Sequence, residues 1–375
     1  MTLIIFCLIA GLFLAYGNGA NDNFKGVATL YGSGTTSYRS ALTWSTITTF
    51  AGSVAALFVA RGLLITFSGK GLVSDAVLAM PAFPVATALA AALTVMAATR
   101  LGFPISTTHA LIGALLGAGL KASAQNLDLS HLGSALVLPL LASPLVALLG
   151  ALFLYPIMRF FRKKLGVKKT TQIRLTMESA APVLSDGQTL ALKQSPELPK
   201  VRIDDHEDKA SEYSGQLFGL HAKKILDSAH YLSAGAVCFA RGLNDTPKIA
   251  AILLAASLFS NTPALLLVGL AMVIGGLIHA SRVAETVAHK VTRMNAGQGF
   301  TANLVTAGIV IAASRFSLPV STTHVACGSL IGIGTVTKSA NWKKIGEILL
   351  AWVITLPVAM LLGYLCFIAV KALTA

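Results

Sequence analysis

The sequence predicts an all-α polytopic membrane protein. Its plan is two inverted repeats with discontinuous helices and a re-entrant helical hairpin in each half. Three observations carry the prediction. The chain has 375 residues, 55% of them hydrophobic and only 12% charged, against roughly a quarter charged in soluble domains. Runs with almost no ionisable side chain recur at 3–16, 76–99, 132–158, 249–280 and 348–370. Two polar motifs appear twice, in the same order, once in each half. Pro104-Ile105-Ser106-Thr107-Thr108-His109 is answered by Pro319-Val320-Ser321-Thr322-Thr323-His324. Upstream, Gly19-Ala20-Asn21-Asp22-Asn23-Phe24-Lys25 is answered by Gly242-Leu243-Asn244-Asp245-Thr246-Pro247-Lys248. Chance accounts for either recurrence alone but poorly for both in order, so the chain reads as an internal duplication.

The elements follow in order. The apolar run at 1–16 lacks a basic leader and a small-residue cleavage site, so it reads as a retained span. It is short of the about 20 residues a crossing helix needs, and it crosses only if residues 17–22 also lie at membrane depth. Residues 38–60 form a second helix, Ser- and Thr-rich on one face. Residues 65–77 read as interfacial, 81–99 as a span, and 132–158 as a long span that Pro139, Pro144 and Pro156 can bend. This gives an N-terminal membrane repeat at 1–158, a polar linker at 159–224 and a C-terminal membrane repeat at 225–375.

Charge fixes the orientation. Net charge is +14, and basic residues crowd between Arg159 and Lys224. A basic surplus beside a span marks the cytoplasmic face. With an odd number of crossings per half, the repeats are inverted and both termini lie outside, in a cell membrane. Aromatic residues are sparse among these basic ones, Phe160, Phe161, Tyr213 and Phe218, so no nucleic-acid partner is expected. Charge, Ser, Pro and Gln dominate the linker, as in residues 194–199, and it reads as partly disordered. Its acidic stretch Asp204-Asp205-His206-Glu207-Asp208 is either a solvated loop or a cation site. Cys7, Cys238, Cys327 and Cys366 stand singly in apolar segments, as small buried hydrophobes, and nothing calls for a cofactor or a resident metal.

The motifs carry the chemistry. A helix that starts inside the membrane presents unsatisfied N–H groups and the positive end of its dipole, which favours anions. Ser106 and Ser321, with Thr107, Thr108, Thr322 and Thr323, both cap such starts and offer hydroxyl groups. Proline at 104 and 319 ends the preceding half-helix. Two such starts can face a tetrahedral oxyanion from opposite sides. The alternative is a continuous helix whose hydroxyl groups bond back to the preceding turn. Asp22 and Asp245 are carboxylates in apolar surroundings, where charge is costly and usually functional. With Asn21 and Asn244 they can hold a cotransported cation or accept a proton from a protonated oxyanion, which phosphate offers and sulfate does not. They can equally form structural pairs with Lys25 and Lys248 at helical spacing. His109 and His324 read as supports of the breaks, with proton relay left open.

These residues resemble the PiT family of inorganic phosphate transporters. The likeness rests on the Asn-Asp and Pro-x-Ser-Thr-Thr-His pairs, together with Arg282-Val283-Ala284-Glu285-Thr286-Val287 and Gly299-Phe300-Thr301-Ala302. It spans both membrane halves and leaves out the linker. It implies uptake of inorganic phosphate by alternating access, coupled to a proton or sodium, commonly as a homodimer. It places Asn21, Asp22, Asn244 and Asp245 at the substrate and cation centre, and the six Ser and Thr residues around the phosphate. Three departures stand out. Lys25 and Lys248 replace a second family asparagine, and Thr49 and Asn303 replace family glutamates. Anionic groups are lost and cationic ones gained, so Lys25 and Lys248 are expected to supply charge that sodium would otherwise bring. Sulfate or another tetrahedral oxyanion is the alternative substrate. A membrane hydrolase using Ser106 or Ser321 with the following histidine lacks an orienting third group, and a channel would be expected to show a ring of repeated pore residues.

Overall fold

The computed structural model describes residues 2–123, 128, 130, 132–173, 209–217, 220–255 and 260–373. The long helices of the first half are α1 (Thr2–Asp22), α2 (Tyr38–Val59), α3 (Ala82–Leu101), α4 (Thr107–Ser123) and α5 (Leu138–Lys164). Those of the second half are α6 (Ala222–Ala255), α7 (Asn261–His279), α8 (Ala296–Arg315), α9 (Thr322–Thr337) and α10 (Trp342–Ala372). Among the described residues, seven helices are long and apolar enough to cross a membrane: α1, α2, α3, α5, α7, α8 and α10. Helix α6 is the longest at 34 residues, about 51 Å at 1.5 Å per residue. Its apolar length is interrupted by Arg241, Asp245 and Lys248, all buried.

The halves pack across one another. Helix α1 lies against α7 and α6 against α2, while α4 lies against α10 and α9 against α5. Each half thus completes the other, in addition to contacts within each half such as α1 on α3 and α6 on α8. Glycines set the first two contacts. A Cβ on Gly19 would stand 1.9 Å from the Met272 carbonyl oxygen, and one on Gly275 would stand 1.9 Å from that of Tyr16. At the other crossing, Gly242 and Gly52 meet the Thr49 and Phe239 oxygens at 2.1 and 2.0 Å by the same construction. Close backbone approach through small residues is how membrane helices associate when lipid removes the hydrophobic drive.

Both hairpins, α3–α4 and α8–α9, are formed. Their first arms end before the prolines. Helix α3 stops at Gly102, which takes a left-handed φ of 75°, and the Phe103 N–H returns to the Ala98 carbonyl at 3.0 Å. Helix α8 stops the same way, with Ser317 at φ 58° and the Leu318 N–H on the Ala313 carbonyl at 2.8 Å. The left-handed residue terminates each helix, and Pro104 and Pro319 lie in the connection beyond. The second arms begin on serine caps: the His109 N–H donates to Ser106 Oγ at 3.1 Å and the His324 N–H to Ser321 Oγ at 3.2 Å.

The two Asn-Asp copies differ in backbone. Helix α1 ends at Asp22, and a turn at 23–27 leads to a short helix, Ala28–Gly32. Helix α6 runs through Asn244 and Asp245 with Pro247 inside it, so the second copy lies within a helix where the first ends one. The linker departs from a purely irregular reading. Residues Lys168–Ile173 (β1) pair antiparallel with Lys209–Ser214 (β2), Lys168 opposite Ser214. Thr170, Thr171, Ile173 and Tyr213 supply β propensity. Burial pushes the Tyr213 phenol up to about 12, and it donates to Asn295 Oδ1 at 2.7 Å. Asn295 caps α8 through a capping box with Gln298, so the described linker is tied to the second hairpin. Residues 194–199 and the acidic stretch 204–208 lie outside the described residues.

Replacing Gly19 or Gly242 with leucine is expected to cost about 1–3 kcal/mol, the usual penalty of overpacking. The check is thermal unfolding in detergent, where Gly346, with open space at its Cβ position, serves as the tolerant control.

Candidate functional site

The hairpin tips meet where α1 ends and beside the Asn244–Lys248 stretch of α6. All twelve residues singled out from the two motif pairs are buried there, from 0% exposed for Asn244 and Thr323 to 7% for Thr322. Their contacts come in matched pairs. The Asn21 amide N–H group donates to Thr99 Oγ1 at 2.9 Å and to the Phe103 carbonyl at 3.0 Å. That fixes its oxygen toward the Ile105 N–H, at 3.2 Å. In the second half Ser314 Oγ donates to Asn244 Oδ1 at 3.3 Å, and Asn244 Nδ2 donates to the Val320 carbonyl at 3.2 Å. The two asparagines therefore hold the tips of their own repeats.

The lysines tie the tips to each other. Lys25 Nζ donates to Asn21 Oδ1 at 2.8 Å, the Ile105 carbonyl at 2.9 Å and Thr323 Oγ1 at 2.6 Å, and it pairs with Asp22 Oδ1. Lys248 Nζ donates to the Val320 carbonyl at 2.6 Å and Thr108 Oγ1 at 2.9 Å, and pairs with Asp245 Oδ1 at 3.3 Å. Ile105 and Val320 are equivalent positions, as are Thr108 and Thr323. Each ammonium thus touches a carbonyl of one tip and a hydroxyl of the other. The hydroxyls act as acceptors toward the lysines, because Thr323 spends its hydrogen on the Ile105 carbonyl at 2.8 Å and Thr108 on that of Val320 at 3.4 Å. Thr107 and Thr322 turn to the carboxylates, reaching Asp22 Oδ2 and Asp245 Oδ2 at 3.4 Å each. On the far side the His109 and His324 rings meet edge to face, centroids 4.5 Å apart, with His324 against Trp352 at 3.8 Å. Trp352 Nε1 donates to the Pro104 carbonyl at 3.0 Å.

Sequence reasoning missed Arg241 and Asn18. They occupy equivalent positions, one before Gly242 and one before Gly19, but share no chemistry, so motif matching drops them. Arg241, 2% exposed, donates to Asn18 Oδ1 at 2.7 Å and to Asn23 Oδ1 at 3.0 Å, with Nε 3.9 Å from Asp245 Oδ2. Asn18 Nδ2 donates to Thr107 Oγ1 at 3.0 Å, Asp22 Oδ2 at 3.2 Å and Asp245 Oδ2 at 3.4 Å. Asn18 is thus the link between the two carboxylates. Of the two residues that depart from the family pattern of glutamates, Thr49 lies beside this group, 3.4 Å from both Asn23 Oδ1 and an Arg241 nitrogen. Asn303 instead bonds Thr29 at 2.9 Å and Ser233 at 3.3 Å, and Thr29 in turn meets His230 Nε2 at 3.1 Å.

Three cationic side chains, Lys25, Lys248 and Arg241, therefore face two carboxylates, Asp22 and Asp245. Two helix starts add their N-terminal dipoles. Such a centre favours a single small anion.

A multi-pass membrane protein that brings two hairpin tips together around buried charge is the class this fold and site define. The chain belongs to the phosphate transporter family, whose model matches residues 18–363. Provisionally named phosphate permeases of Chlamydia trachomatis and Pyrococcus abyssi are each 27% identical to it. The first alignment covers 100% of both chains and the second 97% of both. A solved structure titled the sodium-dependent phosphate transporter superposes with a TM-score of 0.75 at 21% identity, covering 99% of this chain and 100% of that one. The fold is therefore shared.

Breaking the buried Lys25–Asp22 pair is expected to cost about 3–5 kcal/mol. Lys25→Met and Asp22→Asn should each destabilise strongly, and the double variant by less than their sum, because neither charge is then stranded. Unfolding of the three variants in detergent measures the coupling, and strict additivity would contradict it.

Proposed function

We propose that this chain is a secondary active transporter of inorganic phosphate, ion-coupled and working by alternating access. The observation that carries the reading is the meeting of the two Ser-Thr-Thr tips, one per repeat, at a buried centre with a surplus of one positive charge. Ser106 and Ser321 hold the helix starts. Thr107, Thr108, Thr322 and Thr323 supply hydroxyls, and the first-turn N–H groups of α4 and α9 supply donors. Asn21 and Asn244 set the tip backbones. Asp22 and Asp245 are acceptors for the O–H that inorganic phosphate still carries near neutral pH, because it has one more ionisable proton than a phosphate monoester. A sulfate ion has no such proton and meets the same carboxylates with repulsion.

Alternating access fits the matched bonding. The hairpins and the Asn-Asp elements are joined by hydroxyl and carbonyl bonds to lysine that can be exchanged for bonds to a substrate oxygen. A rocking of one repeat against the other opens the centre to one side at a time. In this reading residues 1–158 and 225–375 are inverted repeats, 159–224 is a cytoplasmic linker, and the working form in the cell membrane is a homodimer. The coupling ion is a proton or sodium.

Flux into proteoliposomes tests the reading. Labelled phosphate is expected to accumulate under an imposed ion gradient, with arsenate competing and sulfate competing weakly. Thr108→Val and Thr323→Val, which keep shape and remove a hydroxyl, should each lower uptake by about tenfold or more, the scale of a lost bond to a charged group. Sulfate uptake equal to that of phosphate would favour a general oxyanion permease, and hydrolysis without net flux would favour an enzyme.

A further inference from the structure

The oxygens around each lysine are the kind that hold a hard cation. Lys25 Nζ is ringed by an amide oxygen (Asn21), a carboxylate (Asp22), a backbone carbonyl (Ile105) and a hydroxyl (Thr323). Hard metal cations take the same ligand types. Sites of this sort in transporters are built where a helix ends inside the membrane and carbonyls are freed. Here α1 ends at Asp22, so the negative end of its dipole faces the ammonium. Lys248 sits in the matching cage of Asp245, the Val320 carbonyl and Thr108. In both cages the surrounding atoms are acceptors toward the nitrogen, since the threonine hydrogens are spent on carbonyls. An ammonium, with three donors and no acceptor, satisfies such a cage, whereas a neutral amine would direct its lone pair at oxygen. The other charged or titratable groups at the centre are Arg241, bonded to Asn18, the edge-to-face pair His109 and His324, and the buried Cys327 thiol near Lys25.

Resting on the phosphate reading, we propose that Lys25 and Lys248 are resident cations. Their ammonium groups fill, permanently and covalently, two cages that a metal ion would otherwise enter. The anion then binds and crosses without sodium. Charge balance supports the same conclusion. The lysines cancel Asp22 and Asp245, so Arg241 remains to meet the substrate's charge with no further cation needed.

The test is binding and uptake of labelled phosphate by the full chain at fixed pH, with sodium replaced throughout by choline. Wild-type affinity is expected to agree between the two media within about twofold. A gain of about tenfold or more in sodium overturns the proposal. Lys25→Asn and Lys248→Asn, alone and together, should lower affinity in choline, and sodium should restore it by about tenfold or more, because the emptied cage then accepts the metal. Size-exclusion profiles and melting temperatures establish that each variant is folded. A folded double variant that binds phosphate in choline as wild type does overturns the proposal, and so does one that neither sodium nor ammonium ion rescues. If the wild type handles no phosphate in either medium, the substrate reading fails. The sodium comparison is then read with arsenate or sulfate, so the two failures remain distinct.

Discussion

The structure depends on the need to satisfy two ammonium groups buried in a membrane protein. A lysine 1% exposed, as Lys248 is, cannot be held by one carboxylate alone, since three N–H groups need acceptors and the low-dielectric interior penalises any that lack one. The chain meets this need by bringing both hairpin tips to each lysine. Lys25 belongs to the first repeat yet requires Thr323 from the second, and Lys248 requires Thr108 from the first. The two halves are therefore locked by the same bonds that build the site. The swapped packing of α1 on α7 and α6 on α2 serves the same end, because it brings the Asn-Asp elements of both halves to one place.

Those bonds also explain why the tips take such irregular backbone. The Ile105 and Val320 carbonyls are free for lysine only because the chain is non-helical at 102–106 and at 317–320. In a continuous helix they would be committed to the ladder. Gly102 and the left-handed Ser317 end the first arms, the serine caps restart the second, and proline keeps the segment between from closing into helix. Each device is a local rule of helix termini. Together they leave two buried carbonyls outside any helix ladder, and Lys25 and Lys248 satisfy them.

Much of this was legible in the sequence. The apolar runs marked α1, α3, α5, α7 and α10 but not the more polar α8, and the run at 249–280 joins the end of α6 to α7. The doubled motifs marked the residues that meet at the centre, because a polar string inside an apolar segment is expensive and a repeated one more so. What failed to show were features that break the repeat. Arg241 escaped notice because its counterpart is Asn18, a residue with no charge to match. The different fates of the two Asn-Asp copies were hidden as well. Asn23 to Val27 leaves the helix at a glycine packed on Cys238, while Thr246-Pro247 stays within it. A proline was the sign of a break, yet tertiary packing of α6 against α2 and α8 holds the helix through it. The β1–β2 pairing joins residues far apart in sequence, which local propensity alone does not register.

The broken symmetry has a consequence of its own. A duplicated site with equivalent residues at every position is neutral here, since each half contributes one aspartate and one lysine. An anion placed on the axis of such a site gains nothing from net charge. Arg241 removes that neutrality from one side only. Its guanidinium is held by Asn18 and Asn23 and pairs with Asp245 at 3.9 Å from Nε, a carboxylate that Lys248 already holds at 3.3 Å. Two carboxylates thus face three cations, so one positive charge remains uncompensated at the centre, and buried charge acts over longer range than exposed charge because screening is weak. The two lysines hold the site together, and the single arginine gives it its sign. The matched elements close on the centre from both halves, and the one unmatched cation makes the space between them prefer an anion.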